Sequence, residues 1–163
     1  MKYPQLLHSG INNKIVALSE TEVAKLFTRE TRTEIGSQAE KMKFANNVNG
    51  LVSKFVRLDF DESLQAEMLV MEYIDAIDYT TYEVAQCELW WEVFEGQMKQ
   101  LHEAGFVHRC VTYENILLTT DGLRLIDVSI SALRSQVGDK LFEKYIETEL
   151  SEMMEFREYF LNR

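Results

Sequence analysis

Proline is almost absent from this chain. Pro4 is its only one, so no ring without an N–H interrupts a helix or strand further along. Cysteine is nearly as scarce, with Cys87 and Cys110 alone. Two thiols make no disulfide framework, and so low a count points to a reducing compartment. No stretch approaches the ~18 consecutive apolar residues of a membrane span, and residues 1–7 contain no apolar run of the secretory type. The expectation is a soluble cytoplasmic protein, or one exported into a host cytosol by a route that needs no signal peptide. Positive charge is also short: 17 Lys and Arg against 27 Asp and Glu give a net charge of −10. That balance argues against nucleic acid and anionic membrane as partners, because both reward clustered Lys and Arg. It is compatible with a basic protein partner, and more simply with a solvated acidic surface.

What is present is an ordinary globular balance. The 163 residues are 46% hydrophobic and 27% charged, enough for one domain with a core. No repeat, low-complexity tract or linker breaks the chain, but its texture changes once, near Tyr73. Before that point, residues 14–18 (Lys-Ile-Val-Ala-Leu) and 22–27 (Glu-Val-Ala-Lys-Leu-Phe) flank Ser19-Glu20-Thr21 and predict a hairpin. Residues 33–47 carry Ile35, Ala39, Met42 and Phe44/Ala45 at helical spacing. Residues 51–58 and 67–73 read as strands around an acidic loop. Beyond Tyr73 a long helix is expected over residues 82–104, with Leu89, Trp90, Val93, Phe94, Met98 and Leu101 as its buried stripe and Gly105 as its cap. Thr120-Asp121-Gly122 predicts a second hairpin. A last helix runs from Asp139 to about Leu161, with Phe142, Tyr145/Ile146, Leu150, Met153 and Phe156/Phe160 inward.

Three segments, in this order, resemble the protein kinase superfamily. They are Val23-Ala24-Lys25, like its Val-Ala-Ile-Lys strand; His108-Arg109-Cys110-Val111-Thr112-Tyr113-Glu114-Asn115, like its catalytic loop; and Leu125-Ile126-Asp127-Val128-Ser129, like the approach to Asp-Phe-Gly. The resemblance extends from about Leu7 to Ser131. It implies an α+β fold in a single kinase-like domain: a small antiparallel β N-lobe with one helix over residues 1–73, and a shortened, mostly helical C-lobe over residues 74–163. The cofactors it implies are ATP and Mg²⁺. By the same resemblance, Lys25 contacts the α- and β-phosphates and a helix glutamate orients it, Glu40 by spacing, with Glu34 as the alternative. Asp127 and Asn115 would hold Mg²⁺, with the oxygen ligands a hard cation prefers. Met71, Glu72 and Ile74 fall in the adenine-holding hinge, where the backbone of Glu72 and Ile74 would bond the base. Ile15 and Ala24 would form the roof of that site and Leu117 its floor. Of the family's glycine-rich loop only Gly10 remains, with His8 and Asn13 at the other two glycine positions.

The departures are as informative. Cys110 occupies the position of the aspartate that accepts the proton of the attacking hydroxyl, and a thiol with a reference pKa near ~8.5 offers no anionic oxygen. Thr112 replaces a lysine common near the γ-phosphate, and Val128-Ser129 replace Phe-Gly. His108 and Arg109 raise the question of a reactive Cys110 thiolate, against the plainer expectation of an inert small filler. No Ala-Pro-Glu follows, so the peptide-docking part of the C-lobe is expected to be missing or replaced. Such trimming resembles minimal kinase-fold effectors of pathogenic bacteria and bacterial sugar or lipopolysaccharide kinases. Two functions are therefore expected as alternatives. One is a pseudokinase that binds Mg-ATP and acts through protein contacts. The other is an active atypical kinase of a protein or small molecule, relying on Lys25, Asn115 and Asp127 because positioning and electrostatics carry most of phosphoryl transfer.

Overall fold

A computed structural model describes residues 2–9, 13–28 and 34–162. Runs of β-branched and aromatic residues at its start form one antiparallel sheet of five strands: β1 (Gln5–Ser9), β2 (Asn13–Ala17), β3 (Glu22–Phe27), β4 (Phe55–Asp61) and β5 (Ala66–Glu72), in the order β1-β2-β3-β5-β4. Helix α1 (Ile35–Asn46) connects β3 to β4 and buries Ile35, Ala39, Met42 and Ala45. The two-residue period of a strand decides what each face of the sheet carries. Lys25 lies opposite Ile15 on β2 and Leu69 on β5, on the face shared with Val23 and Phe27. Ala24 and Leu26 point the other way, into a second cluster with Met68, Val70, Val16 and Leu18.

The rest of the chain forms α2 (Val84–Ala104), β6 (Phe106–Val107), the hairpin β7 (Ile116–Thr119) and β8 (Gly122–Leu125), β9 (Ala132–Leu133), the short α3 (Arg134–Val137) and α4 (Asp139–Leu161). Helices α2 and α4 pack through Trp91, Phe94 and Phe156. Tyr79 sets its ring edge-on against Phe156, Tyr159 and Phe160 and donates its hydroxyl to the carbonyl of Ile116. Burial pushes its phenol up to about 12. The architecture is the α+β arrangement expected, with an antiparallel sheet ahead of a mainly helical part.

Residues 51–53, expected to begin a strand, instead join the sheet to the helical part. The Leu125 amide donates to the Leu51 carbonyl at 2.9 Å, and the Ser53 amide donates to the Leu125 carbonyl at 3.0 Å. Arg124 reinforces this seam with bonds to Glu72 at 2.6 and 3.1 Å and to the Leu51 carbonyl at 3.2 Å. Burial opposes the Glu72 charge, but Arg124 and the Lys54 amide outweigh it and hold the carboxyl below its ordinary value. The strand β4 therefore starts only at Phe55.

Helix phases also differ from the hydrophobic reading. On α2, Leu89 and Val93 are exposed while Cys87 and Trp91 are buried, because α4 packs against the Trp91 side. On α4, Leu150 is exposed and its neighbour Glu149 is fully buried. Gly105 does close α2, at φ 106°. Gly122 ends the β7–β8 turn at φ 118°, and a Cβ there would meet the Trp90 ring at 3.1 Å. Backbone strain and crowding coincide at Gly122, so Gly122→Ala should cost about 1–3 kcal/mol in urea denaturation.

Candidate functional site

Lys25 is a buried cation near the end of β3. Its Nζ donates to Gln38 Oε1 at 3.1 Å and lies 3.7 Å from Asp127 Oδ1. The glutamate expected beside it is absent from this contact. Glu40 is exposed on α1, lining an open groove with Gly36, Lys43 and Leu58, and Glu34 is exposed just ahead of the helix. At ~100° per residue, Glu40 lies about 200° around the helix from Gln38, nearly opposite. Gln38 is on the inward face with Ala39 and Met42 and supplies a neutral amide oxygen. The periodicity of α1 carried that signal; a search restricted to acidic residues overlooked it.

Strand parity corrects a second expectation. Ala24 cannot roof a site that Lys25 faces, because adjacent residues of β3 point to opposite sides. Val23 is on the Lys25 face, paired with Ala17 and Met71. Ile15 is also on that face, opposite Lys25. In the hinge segment the Glu72 amide is taken by the Lys54 carbonyl, and the Glu72 carbonyl already accepts from Ser53 Oγ at 3.2 Å. Any contact of the Glu72 carbonyl with a base must share that oxygen, whereas Ile74 is half-buried past the end of β5. Leu117 is half-buried in β7 and lines a cavity of about 370 Å³ with Ile77, Tyr79 and Tyr113. Gly10 lies outside the described residues.

Asp127 follows β8 with φ 62°, a left-handed conformation that Asp tolerates better than most residues. Its carboxylate accepts from the Ser129 amide at 3.0 Å. Burial opposes its charge, but Lys25 and Ser129 outweigh it and keep the carboxyl below the usual range. The Ile126 amide donates to the Asn115 carbonyl at 2.9 Å, which ties the backbone beside Asp127 to Asn115. Asn115 in turn donates from Nδ2 to the Cys110 carbonyl at 3.0 Å, so its side-chain oxygen is the atom it can offer a cation. Among the described residues no three His, Cys, Asp or Glu side chains gather as a metal cluster. Asp127 and Asn115 each carry a side-chain oxygen of the kind a hard cation such as Mg²⁺ prefers.

The loop between β6 and β7 is held from below. Glu149 of α4 accepts from the amides of Arg109 at 2.6 Å and His108 at 3.4 Å, and its other contact is His102 Nε2 at 2.5 Å. Arg109 has φ 75°, an uncommon conformation for a residue with a Cβ. Its guanidinium stacks on the Tyr145 ring at 3.8 Å and reaches the Ile130 carbonyl. His108 is fully buried. Its Nε2 donates to the Ile126 carbonyl at 2.8 Å, and its Nδ1 accepts from the Cys110 amide at 3.2 Å. Both bonds require the neutral ring, and burial drives the imidazole pKa down despite the pull of Glu149.

Cys110 is half-buried. Burial, then the negative charges of Glu152 and Asp127, raise its thiol pKa, and bonds from Thr112 and Asn115 do not reverse the shift. The thiol is therefore protonated at neutral pH, and among the described residues no cation lowers its pKa.

Two measurements test this arrangement. Glu149→Ala leaves buried donors without an acceptor and should destabilise the fold by roughly 2–4 kcal/mol in urea. The His108 pKa is below its unfolded value of ~6.5, so the unfolded chain binds the extra proton first. Stability from this group is complete above that pH and declines as pH falls through ~6.5 toward the folded pKa. The urea midpoint should drop between pH 7.5 and 5.5, and His108→Gln should flatten that slope.

Residues 21–158 match a family profile described as RIO domain. The match begins just ahead of β3 and ends within α4, so it includes Lys25, the loop from His108 to Asn115, Asp127 and Glu149. RIO domains are an atypical protein kinase family. The kinase-superfamily resemblance stands on this match, while the narrower comparison with small effectors or sugar kinases is not what it names. With most of its length matched, the chain belongs to the RIO family of atypical kinases.

Proposed function

We propose that this chain binds Mg-ATP and acts as a pseudokinase, through protein contacts rather than phosphate transfer. One observation carries the proposal: the residue in the catalytic aspartate's position is a cysteine, whose thiol burial and nearby carboxylates push up, while Lys25 Nζ and Asp127 Oδ1, the cation and carboxylate for nucleotide and metal, lie 3.7 Å apart. The RIO family generally binds ATP with Mg²⁺, and the oxygen donors described above fit such a metal. When bound, Mg-ATP supplies the transferable phosphoryl group. Lys25 then neutralises phosphate charge, and Gln38 positions that ammonium without competing for its charge. Asp127 and Asn115 offer the metal its oxygens. Cys110 accepts no proton from an incoming hydroxyl, because a buried, neutral thiol is a poor base. Glu40 has no role in this reading. The partner is a protein, a basic one being the best match to the acidic surface. Among the described residues no helix is long and apolar enough to cross a membrane.

The alternative, an active atypical kinase acting on a protein, a sugar or a lipopolysaccharide, is favoured by the retention of Lys25, Asn115 and Asp127 together. Calorimetric titration of ATP with and without Mg²⁺ separates the possibilities. Metal-dependent binding should weaken at least ~10-fold, about 1.4 kcal/mol, in both Lys25→Ala and Asp127→Ala. Cys110→Asp should then raise phosphotransfer by about 10²-fold or more over the wild type. Wild-type transfer that Lys25→Ala abolishes and Cys110→Asp leaves unchanged would establish the active kinase instead.

A further inference from the structure

The strand β4 closes one side of the sheet, and among the described residues no strand pairs with its outer edge. Sheets usually guard such an edge with lysine, proline or brevity. This strand has seven residues, Phe-Val-Arg-Leu-Asp-Phe-Asp, without lysine or proline. Val56, Leu58 and Phe60 are 41%, 48% and 50% exposed, and Leu64 in the following turn is 56% exposed.

The direction of the backbone groups follows from neighbouring bonds. The Tyr73 amide donates to Thr21 on the β3 side, while the Glu72 amide donates to Lys54 on the β4 side. Alternation along β5 therefore turns Glu72, Val70, Met68 and Ala66 toward β4. Their partners Arg57, Asp59 and Asp61 turn their backbone groups inward. Leu58 and Phe60 consequently direct N–H and C=O outward. The Asp59 carboxylate covers the Phe60 amide at 2.8 Å, a bond on an exposed edge that another strand can replace.

We infer that β4 is a homodimer edge, on which two copies of this chain pair antiparallel about Leu58 and join their sheets into one. The occupant is a second copy because the strand is complementary to itself. Centred on Leu58, the pairing sets Arg57 across from Asp59 of the other copy, and Asp59 across from its Arg57. It also sets Leu58 across from Leu58, and Val56 across from Phe60. Moving the centre one residue either way opposes Asp59 to Asp59 or Arg57 to Arg57, which like-charge repulsion disfavours. Charge thus selects one register, and the two-fold axis doubles every favourable contact. The present partners of Arg57, Glu22 at 3.0 Å and Asp59 at 3.3 Å, are exposed pairs of small worth and leave the guanidinium available. The bulge between Phe55 and Arg57 limits pairing to the part of the strand from Val56 onward. The apolar face continues from Leu58 into the groove beside Ala39 and Phe44 of α1.

The test is sedimentation velocity of the full chain over a concentration series, at about 0.15 M ionic strength because the chains repel at low salt. The wild type should show a monomer–dimer equilibrium. Leu58→Lys should weaken it at least ~10-fold, since two like charges meet on the axis. Arg57→Asp and Asp59→Arg should each weaken self-association by a similar factor. An equimolar mixture of those two variants should restore dimer, because each then meets its opposite charge. Far-UV circular dichroism of every variant controls for folding. A wild type monomeric at every concentration overturns the inference. So does a dimer indifferent to Leu58→Lys, or a variant mixture that stays monomeric. The nucleotide site plays no part in the readout, so the outcome is independent of ATP binding.

Discussion

A single buried carboxylate governs the geometry of the loop on which the candidate site rests. Glu149 is enclosed by α2, α4 and the segment after β6, and it binds two successive amides while facing His102. Those amides belong to the residues on either side of a peptide unit that turns at Arg109 with φ 75°. The turn aligns His108 to bridge Ile126 and Cys110, and Ile126 precedes Asp127. One side chain on the last helix therefore anchors the segment from His108 to Cys110 and, through His108, the backbone just ahead of Asp127. A buried charge is expensive unless donors surround it, and here the strained loop supplies them. Carboxylate and loop are each tolerable only in the presence of the other.

The electrostatics above that brace are spare. Lys25 meets a neutral amide on α1 and one carboxylate across the cleft. Helix α1 consequently contributes position without charge, and among the described residues the ammonium has a single anionic partner. Burial first, and then the negative charges of Glu152 and Asp127, push the Cys110 thiol up, so the carboxylate that pairs with Lys25 also helps keep that thiol neutral.

Much of the fold was legible because local chemistry announced it. Polar turns between β-rich runs marked the hairpins, and Gly105 marked the end of α2 at its one left-handed position. The terminal helix was legible in both its bounds, yet its buried face was misjudged at Glu149 and Leu150. Amphipathic reasoning sends carboxylates outward, and the donors that hold Glu149 inside are some 40 positions away in sequence. The resemblance assigned Lys25 and Asp127 to one nucleotide site without pairing them, and their 3.7 Å contact came from the structure, whereas Gln38 and Val23 were missed for simpler reasons. Gln38 lacks the charge being sought. Val23 was hidden because this strand has one residue fewer between alanine and lysine than Val-Ala-Ile-Lys, which reverses the alanine's face. Counting by twos along β3 would have recovered it. The seam at residues 51–53 was illegible in principle, since its partners lie more than 70 positions downstream.

That seam bears on motion. Glu72 and Arg124 share their ion pair with the same short stretch in which Leu51 and Ser53 clasp Leu125. Any movement that separates the sheet from the β7–β8 hairpin must release the ion pair and the backbone clasp together. Such a joint gives little under small forces and yields all at once under larger ones. Separation of the sheet from the hairpin is then governed by a threshold, like a latch, and its rate reports how often the latch lifts rather than how far the two parts flex.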